Sequence, residues 1–139
     1  MLKKIIHAVC ALLLIIGLVS APSVYAGKLN PIYEPETMEL AGDASIGAVR
    51  EGIMRAIKYR KWKGKKVGKR TIRATFKKVG KVSVVYKAIV DIKYSRGKIK
   101  INYHSSRGLD YQKESGLISG YYNRWVKKLE KEIWREVNR

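Results

Sequence analysis

An alternating pattern of apolar and polar side chains over residues 82–105 most constrains the fold of this 139-residue chain. The phase of the alternation flips after Arg96-Gly97. Because successive side chains of a strand point to opposite faces, this flip indicates a β-hairpin with a two-residue turn, in which Gly97 supplies the positive φ. The predicted register places Ile92 opposite Ile101, so that the apolar side chains share one face.

A second alternating stretch precedes this hairpin, beginning at Ile72 and ending at Lys77. A three-residue loop of Lys78-Val79-Gly80, with Gly80 left-handed, would place Ile72 opposite Tyr86. The sequence therefore predicts a three-stranded antiparallel β-meander with one apolar face, and that face must be covered by other elements.

Two amphipathic helices flank the predicted meander. Asp43 or Ser45 can cap the first, over about residues 45–62, and the second covers about residues 119–138. The predicted order is α-β-β-β-α. We therefore expect an α+β fold in which a three-stranded antiparallel β-meander carries two α-helices packed on one face.

The first 26 residues have the pattern of a secretory signal peptide, with a charged start, an apolar run and a cut near Ala26. The alternative is an uncleaved membrane anchor, for which the apolar run is short. Export to the periplasm or the medium follows from the first interpretation. The remaining chain would have no cysteine, because Cys10 lies within the apolar run, so its stability must come from packing.

The chain after residue 26 divides into two predicted parts. Residues 27–42 form an extended N-terminal arm, which lies on basic surface, packs Ile32 and Tyr33 against the core, or is a solvated linker. Residues 43–139 form a single α+β domain, a length sufficient for one modest core.

A formal net charge of +19 favours an anionic partner. The basic side chains concentrate in the run 58–70, which starts in the last turn of the first predicted helix and continues as a mobile connection containing Gly64 and Gly68, and on the polar face of the meander. Lys93 is expected opposite Lys100, a repulsion that a bound anion would offset. The candidate anion-binding residues are Lys58, Arg60, Lys61, Lys63, Lys65, Lys66, Lys69, Arg70, Lys93, Lys98 and Lys100.

These features favour a non-enzymatic module that binds an anionic surface, such as lipid head groups, lipopolysaccharide or a cell-wall polymer. The first alternative is a protein–protein interaction or assembly module whose basic charge is incidental. Nucleic acid fits the charge, but export and the lack of aromatic side chains on the exposed strand positions disfavour it.

The second alternative is a small hydrolase that uses His104 and Asp91, with Ser105 or Ser106 as nucleophile. In the predicted register His104 lies opposite Ile89 and Ser105 points to the other face, and no nucleophile-elbow motif surrounds either serine. We therefore predict no catalytic residues. One histidine and no cysteine after residue 26 also predict no metal site, and no motif indicates a cofactor.

The last predicted helix contains the run Tyr122-Asn123-Arg124-Trp125, followed by Leu129 and Ile133 at helical spacing. Together with the alternating hairpin residues and with Arg60 and Trp62, this pattern resembles a family of small exported bacterial proteins and lipoproteins of uncharacterised function. The resemblance implies an envelope location and an α+β fold, and it supplies no catalytic residues. This chain lacks the lipobox cysteine of the lipoprotein members.

Overall fold

Seven strands, two α-helices and one 3-10 turn (Lys81–Ser83) occupy residues 27–139, the part of the chain that this computed structural model describes. The signal-peptide prediction for residues 1–26 lies outside the described part. Neither of the two helices is long and apolar enough to cross a membrane. The elements are β1 (Leu29–Pro31), β2 (Met38–Glu39), α1 (Ile46–Tyr59), β3 (Lys63–Gly68), β4 (Thr71–Val79), β5 (Val85–Tyr94), β6 (Lys98–Arg107), β7 (Leu117–Ser119) and α2 (Gly120–Val137).

The main sheet has five antiparallel strands in the order β2-β6-β5-β4-β3, and β1 pairs with β7 in a separate two-stranded sheet. The α+β class is confirmed, but the prediction of a three-stranded meander was wrong. The sequence did not indicate β3 because its six residues, KGKKVG, are three lysines, two glycines and a single valine and so show no apolar alternation. The sequence did not indicate β2 either, because a strand of two residues is too short to show an apolar–polar alternation.

The hairpin of β5 and β6 has the predicted register near its turn. Ile92 pairs with Ile101, and the Ser95 backbone N–H donates to the Lys98 carbonyl at 2.8 Å. Gly97, however, is not among the glycines with positive φ. Its carbonyl accepts the Leu40 N–H at 2.7 Å, so β2 and its flank fix the turn from outside the hairpin.

The predicted register of β4 and β5 was wrong by six residues: Ile72 pairs with Ile92 and not with Tyr86. Because six is even, the apolar side chains still share one face. Gly80 has φ −86° and is not left-handed. A Cβ there would meet the Tyr86 ring at 2.6 Å, so the glycine is needed for close packing and not for backbone conformation.

Both helices pack on the apolar face of the main sheet. Ser45 caps α1, as one of the two alternatives predicted, by accepting the Ala48 N–H at 3.1 Å. The helix ends at Tyr59, before the predicted Trp62, because Lys61 adopts φ 61° and turns Trp62 back into the core. The sheet contributes Ile72, Ala74, Ala88, Val90, Ile92, Ile99 and Ile101 to this core, and the helices contribute Val49, Ile53, Ile57, Tyr122, Val126, Leu129 and Ile133.

The segment 27–42 packs onto the fold, with Ile32 and Tyr33 against the core as one of the predicted alternatives has it. Asn123 of α2 holds this segment. Its Oδ1 accepts the Tyr33 N–H and its Nδ2 donates to the Pro31 carbonyl, both at 2.8 Å. The Tyr33 hydroxyl donates to Glu130 at 2.7 Å, a bond that raises the pKa of Tyr33 to about 12.

Replacing Asn123 with alanine is expected to release this segment, because the Tyr33 N–H and the Pro31 carbonyl both lose their partner. Two such bonds contribute about 1–2 kcal/mol to the free energy of unfolding. Hydrogen exchange read by mass spectrometry should then show faster exchange over residues 29–40. Asn138→Ala, at the end of α2, is the control, and equal protection of residues 29–40 in both variants would contradict the assigned role of Asn123.

Candidate anion-binding surface

The second face of the main sheet is lined by basic side chains, and none of its strand positions is buried. Cross-strand partners share a face, so the pairing fixes which side chains belong to it. We call this surface the cationic face. Its basic members are Lys63 and Lys65 of β3, Arg73 and Lys77 of β4, Lys87 and Lys93 of β5, and Lys98, Lys100 and Arg107 of β6.

Three cations lie side by side across one end of the cationic face. Lys77 pairs directly with Lys87, and Lys87 pairs directly with Arg107. Directly opposed side chains have Cβ atoms roughly 5 Å apart, and like charges at that spacing repel. None of the three forms a salt bridge with an acidic side chain within residues 27–139. This three-cation row is therefore a concentration of positive charge that the described fold does not neutralise.

A second row of paired side chains crosses the centre of the cationic face and contains an acidic residue, Asp91. Lys65 pairs with Arg73, and Arg73 pairs with Asp91. The Arg73 guanidinium donates to both carboxylate oxygens of Asp91, at 2.8 and 3.0 Å. This hydrogen-bonded pair holds the pKa of Asp91 below its usual value. The carboxylate therefore stays charged and neutralises Arg73 at the centre of the face.

A β-bulge at His104 alters the expected geometry of the hydrolase alternative. The register moves between Ile89 and Val90, so Ile89 pairs with Ser105 and not with His104. The bulge brings Ser105 onto the cationic face, contrary to the prediction that it points away. His104 Nδ1 lies 3.3 Å from Asp91 Oδ2, but both oxygens of that carboxylate already accept from Arg73. The pair thus orients the imidazole, and the carboxylate is committed to a structural ion pair.

The predicted anion-binding residues fall on two surfaces. Lys63, Lys65, Lys93, Lys98 and Lys100 lie on the cationic face. Lys66 pairs with Ile72 and so shares the helix-covered side of the sheet, at its edge. The basic residues at the end of α1 lie on that same side, and the turn between β3 and β4 carries the rest of the run. These remaining residues are Lys58, Arg60, Lys61, Lys69 and Arg70.

Two of the predicted lysines are engaged by the N-terminal segment. Lys100 Nζ donates to the buried Pro35 carbonyl at 2.6 Å, and Lys98 Nζ lies 3.5 Å from Glu39. Lys93 does lie opposite Lys100, as predicted. At the turn end of the face, Glu39 therefore offsets the charge of Lys98 and the Pro35 carbonyl holds the ammonium of Lys100, whereas the three-cation row lies at the opposite end.

The helix-covered side carries a groove that sequence reasoning missed. It has a volume of about 420 Å³ and is lined by aromatic and basic side chains. Trp62 and Trp125 each contact Phe76, with ring centroids 5.4 and 4.8 Å apart. The aromatic rings pack against one another between α2 and the sheet, and Arg60, Lys61, Lys78 and Lys128 line the rim.

Sequence reasoning also missed the three-cation row, although a signal was present. Arg107 lies beyond the predicted hairpin of residues 82–105, and the predicted pairing of the first two strands separates Lys77 from Lys87. The stretch 71–90 contains five basic residues and no acid, which distinguishes it from the rest of the predicted sheet. Within residues 27–139, no cluster of three or more His, Cys, Asp or Glu side chains could hold a metal ion.

Comparison with known proteins gives little further information. No family model matches the chain, and no curated protein matches it. Among solved structures, the vertebrate conserved region of human METTL16 superposes with a TM-score of 0.42 at 12% identity, over 74% of this chain and 97% of that chain. A likeness this distant supports no conclusion about function.

Replacing Asp91 with asparagine is expected to lower the melting temperature by roughly 4 °C, because Arg73 loses its charged partner among like charges. The same variant should bind polyanions more tightly, since the face gains one net positive charge. Asp91 has a lowered pKa in the fold, so its contribution is present above the ordinary aspartate value of about 3.9 and is lost as the pH falls below it.

Thermal unfolding is measured from pH 7 to pH 2.5. The melting temperatures of Asp91→Asn and of the parent protein should become equal at the lowest pH. His104→Ala is the matched control, and it should leave the melting temperature at pH 7 nearly unchanged. If the difference in melting temperature between Asp91→Asn and the parent protein increased toward low pH, the stabilising role assigned to the Asp91 carboxylate would be wrong.

Proposed function

We propose that this protein is an exported, non-enzymatic module that binds a phosphate-bearing lipid surface of the cell envelope through its cationic face. The observation that carries the proposal is the three-cation row, Lys77, Lys87 and Arg107, which pairs cation with cation across three strands. Export rests on the signal-peptide pattern of residues 1–26 and on the resemblance to exported bacterial proteins.

The shape of the cationic face favours an extended surface over a small ligand. Adjacent strands lie roughly 4.8 Å apart, so the row spans about 10 Å across a sheet with no wall around it. Each cation near an anionic membrane contributes about 1 kcal/mol, so several aligned cations localise a protein without a pocket. The strand positions of this face carry no phenylalanine, tyrosine or tryptophan ring on which a base could stack, and the imidazole of His104 is held beside Asp91, which favours lipid phosphates over nucleic acid.

A protein-binding module with incidental charge is the second candidate, and the position of β3 favours it. This strand is an edge of the sheet and carries Lys63, Lys65 and Lys66. Lysines on an edge strand prevent pairing with other chains, so part of the charge would serve solubility without any ligand. Ionic strength separates the two candidates, because charge-driven binding weakens steeply with salt and an apolar interface does not.

Sedimentation with lipid vesicles tests the proposal. The full chain is mixed with phosphatidylglycerol-containing vesicles and with neutral phosphatidylcholine vesicles at low and high salt. We expect more binding to the anionic vesicles than to the neutral ones, and we expect high salt to remove this difference. A triple variant of the row, Lys77→Gln, Lys87→Gln and Arg107→Gln, should lower the partition coefficient by about 10- to 100-fold.

The matched control removes three positive charges elsewhere, from exposed positions 50, 113 and 131: Arg50→Gln, Lys113→Gln and Lys131→Gln. All proteins keep residues 1–26, so any contribution of that segment to binding is common to them. An equal loss in both triple variants would show that net charge, and not the row, drives binding. Absence of salt-sensitive binding to anionic vesicles would reject the proposed function, and a pull-down from envelope extracts would then test for a protein partner.

A further inference from the structure

The connection between β4 and β5 presents apolar side chains to solvent. Strand pairing ends at Val79 opposite Val85, so residues 80–84 lie beyond the paired strands as a tip. Val79 is 62% exposed and Val82 is 89% exposed, the largest value among the exposed large hydrophobic residues of the described part. A single exposed valine is ordinary, but two of them at one protruding end form an apolar tip.

The backbone of this tip is held in an unusual conformation. Val82 has φ 51° and ψ 37°, and Ser83 has φ 61°. A β-branched residue is rarely left-handed, because its Cβ crowds the backbone there. The Gly80 N–H donates to the Val84 carbonyl at 2.7 Å, and the Tyr86 ring packs on Gly80. Strain at an exposed valine, fixed by such packing, is the kind of feature found at functional sites.

Cations surround the apolar tip. Lys78 directly precedes Val79 and Lys81 directly precedes Val82 in sequence, and both lysines are exposed. The three-cation row lies immediately behind them, because Lys77 and Lys87 pair two positions before the end of the hairpin. With Arg107, five basic side chains are placed at this end of the sheet, and the stretch 71–90 brings no acid to it.

A groove beside the tip adds amphipathic aromatic rings. It has a volume of about 680 Å³, and its lining includes Val82, Lys81, Tyr86, Tyr121 and Trp125. Tyr121 and Trp125 of α2 are partly exposed and stack, with ring centroids 6.0 Å apart and planes at 11°. Tyrosine and tryptophan concentrate at the level of lipid head groups, where one part of the ring is apolar and the other is hydrated.

We propose that this hairpin tip inserts into an anionic lipid bilayer, with Val79 and Val82 entering the apolar layer. Tyr121 and Trp125 then lie at the head-group level, and the lysines of the tip and the three-cation row contact lipid phosphates. The proposal rests on the proposed function and adds the docking element and the orientation. Charge complementarity selects a bilayer over an apolar protein groove, because the valines are surrounded by cations.

A fluorescent label at the tip tests insertion. Cys10, the one cysteine of the chain, is replaced by serine, and Val82→Cys then gives a single site for an environment-sensitive dye. Val67→Cys is the matched control, since Val67 is also an exposed valine, 43% exposed, on the edge strand β3. With phosphatidylglycerol vesicles, the dye at position 82 should shift to shorter wavelength and be quenched by spin labels on the acyl chains.

Under the same conditions the dye at position 67 should keep its aqueous emission. As a second measurement without a label, Val79→Ser with Val82→Ser should lower the partition coefficient at high salt by about tenfold for each valine, and Val67→Ser should leave it unchanged. Both tip side chains are largely exposed, so these changes should leave the melting temperature close to that of the parent protein.

The outcomes separate insertion from the proposed function. If the protein sediments with anionic vesicles in a salt-sensitive manner while the dye at position 82 stays in water, insertion is overturned and surface binding stands. If the protein binds no vesicle, both fail. If positions 67 and 82 report the acyl region equally, the orientation proposed here is wrong.

Discussion

The apolar face shared by β4, β5 and β6 is the constraint on which the rest of the structure depends. Its side chains alternate strictly along β5, where each even position from Tyr86 to Tyr94 is buried. A sheet with one such face must be covered, and the two amphipathic helices on either side of the strands in sequence provide the cover. Since both helices of residues 27–139 lie on this side, neither covers the opposite face, where none of the strand positions is buried.

Side chains alternate between the two faces of a strand, and this two-residue repeat explains how much of the fold could be predicted from sequence. The pairing of Ile92 with Ile101 followed from a short turn, where phase and loop length determine the register together. The pairing of β4 with β5 did not, because any even shift keeps the same faces together. In the observed register Ile72 pairs with Ile92, and the Tyr86 ring packs on Gly80, a contact that alternation within a strand does not encode.

The candidate site was likewise predictable where it depends on the alternation within a strand and unpredictable where it depends on how the strands pair. The sequence places basic side chains on the polar face of each strand, but their neighbours across the sheet depend on register. The bulge at His104 places Arg107 opposite Lys87. The observed pairing of β4 with β5 places Lys77 opposite Lys87 on the other side. A row of three cations is therefore a product of two pairing details, and reasoning within one strand could not find it.

The cations of this face are not needed to complete the described core. No buried side-chain nitrogen or oxygen lacks a hydrogen-bond partner within residues 27–139, and Asp91 neutralises the one arginine near the centre of the face. The remaining cations face each other across strands at a cost in stability, which a bound anion would offset. Binding and folding are then coupled, since a ligand that prefers the folded state stabilises it in proportion to its affinity. An anionic surface that neutralised Lys77, Lys87 and Arg107 would relieve the largest like-charge contact of the sheet, and the same surface would meet the exposed valines at the adjoining tip.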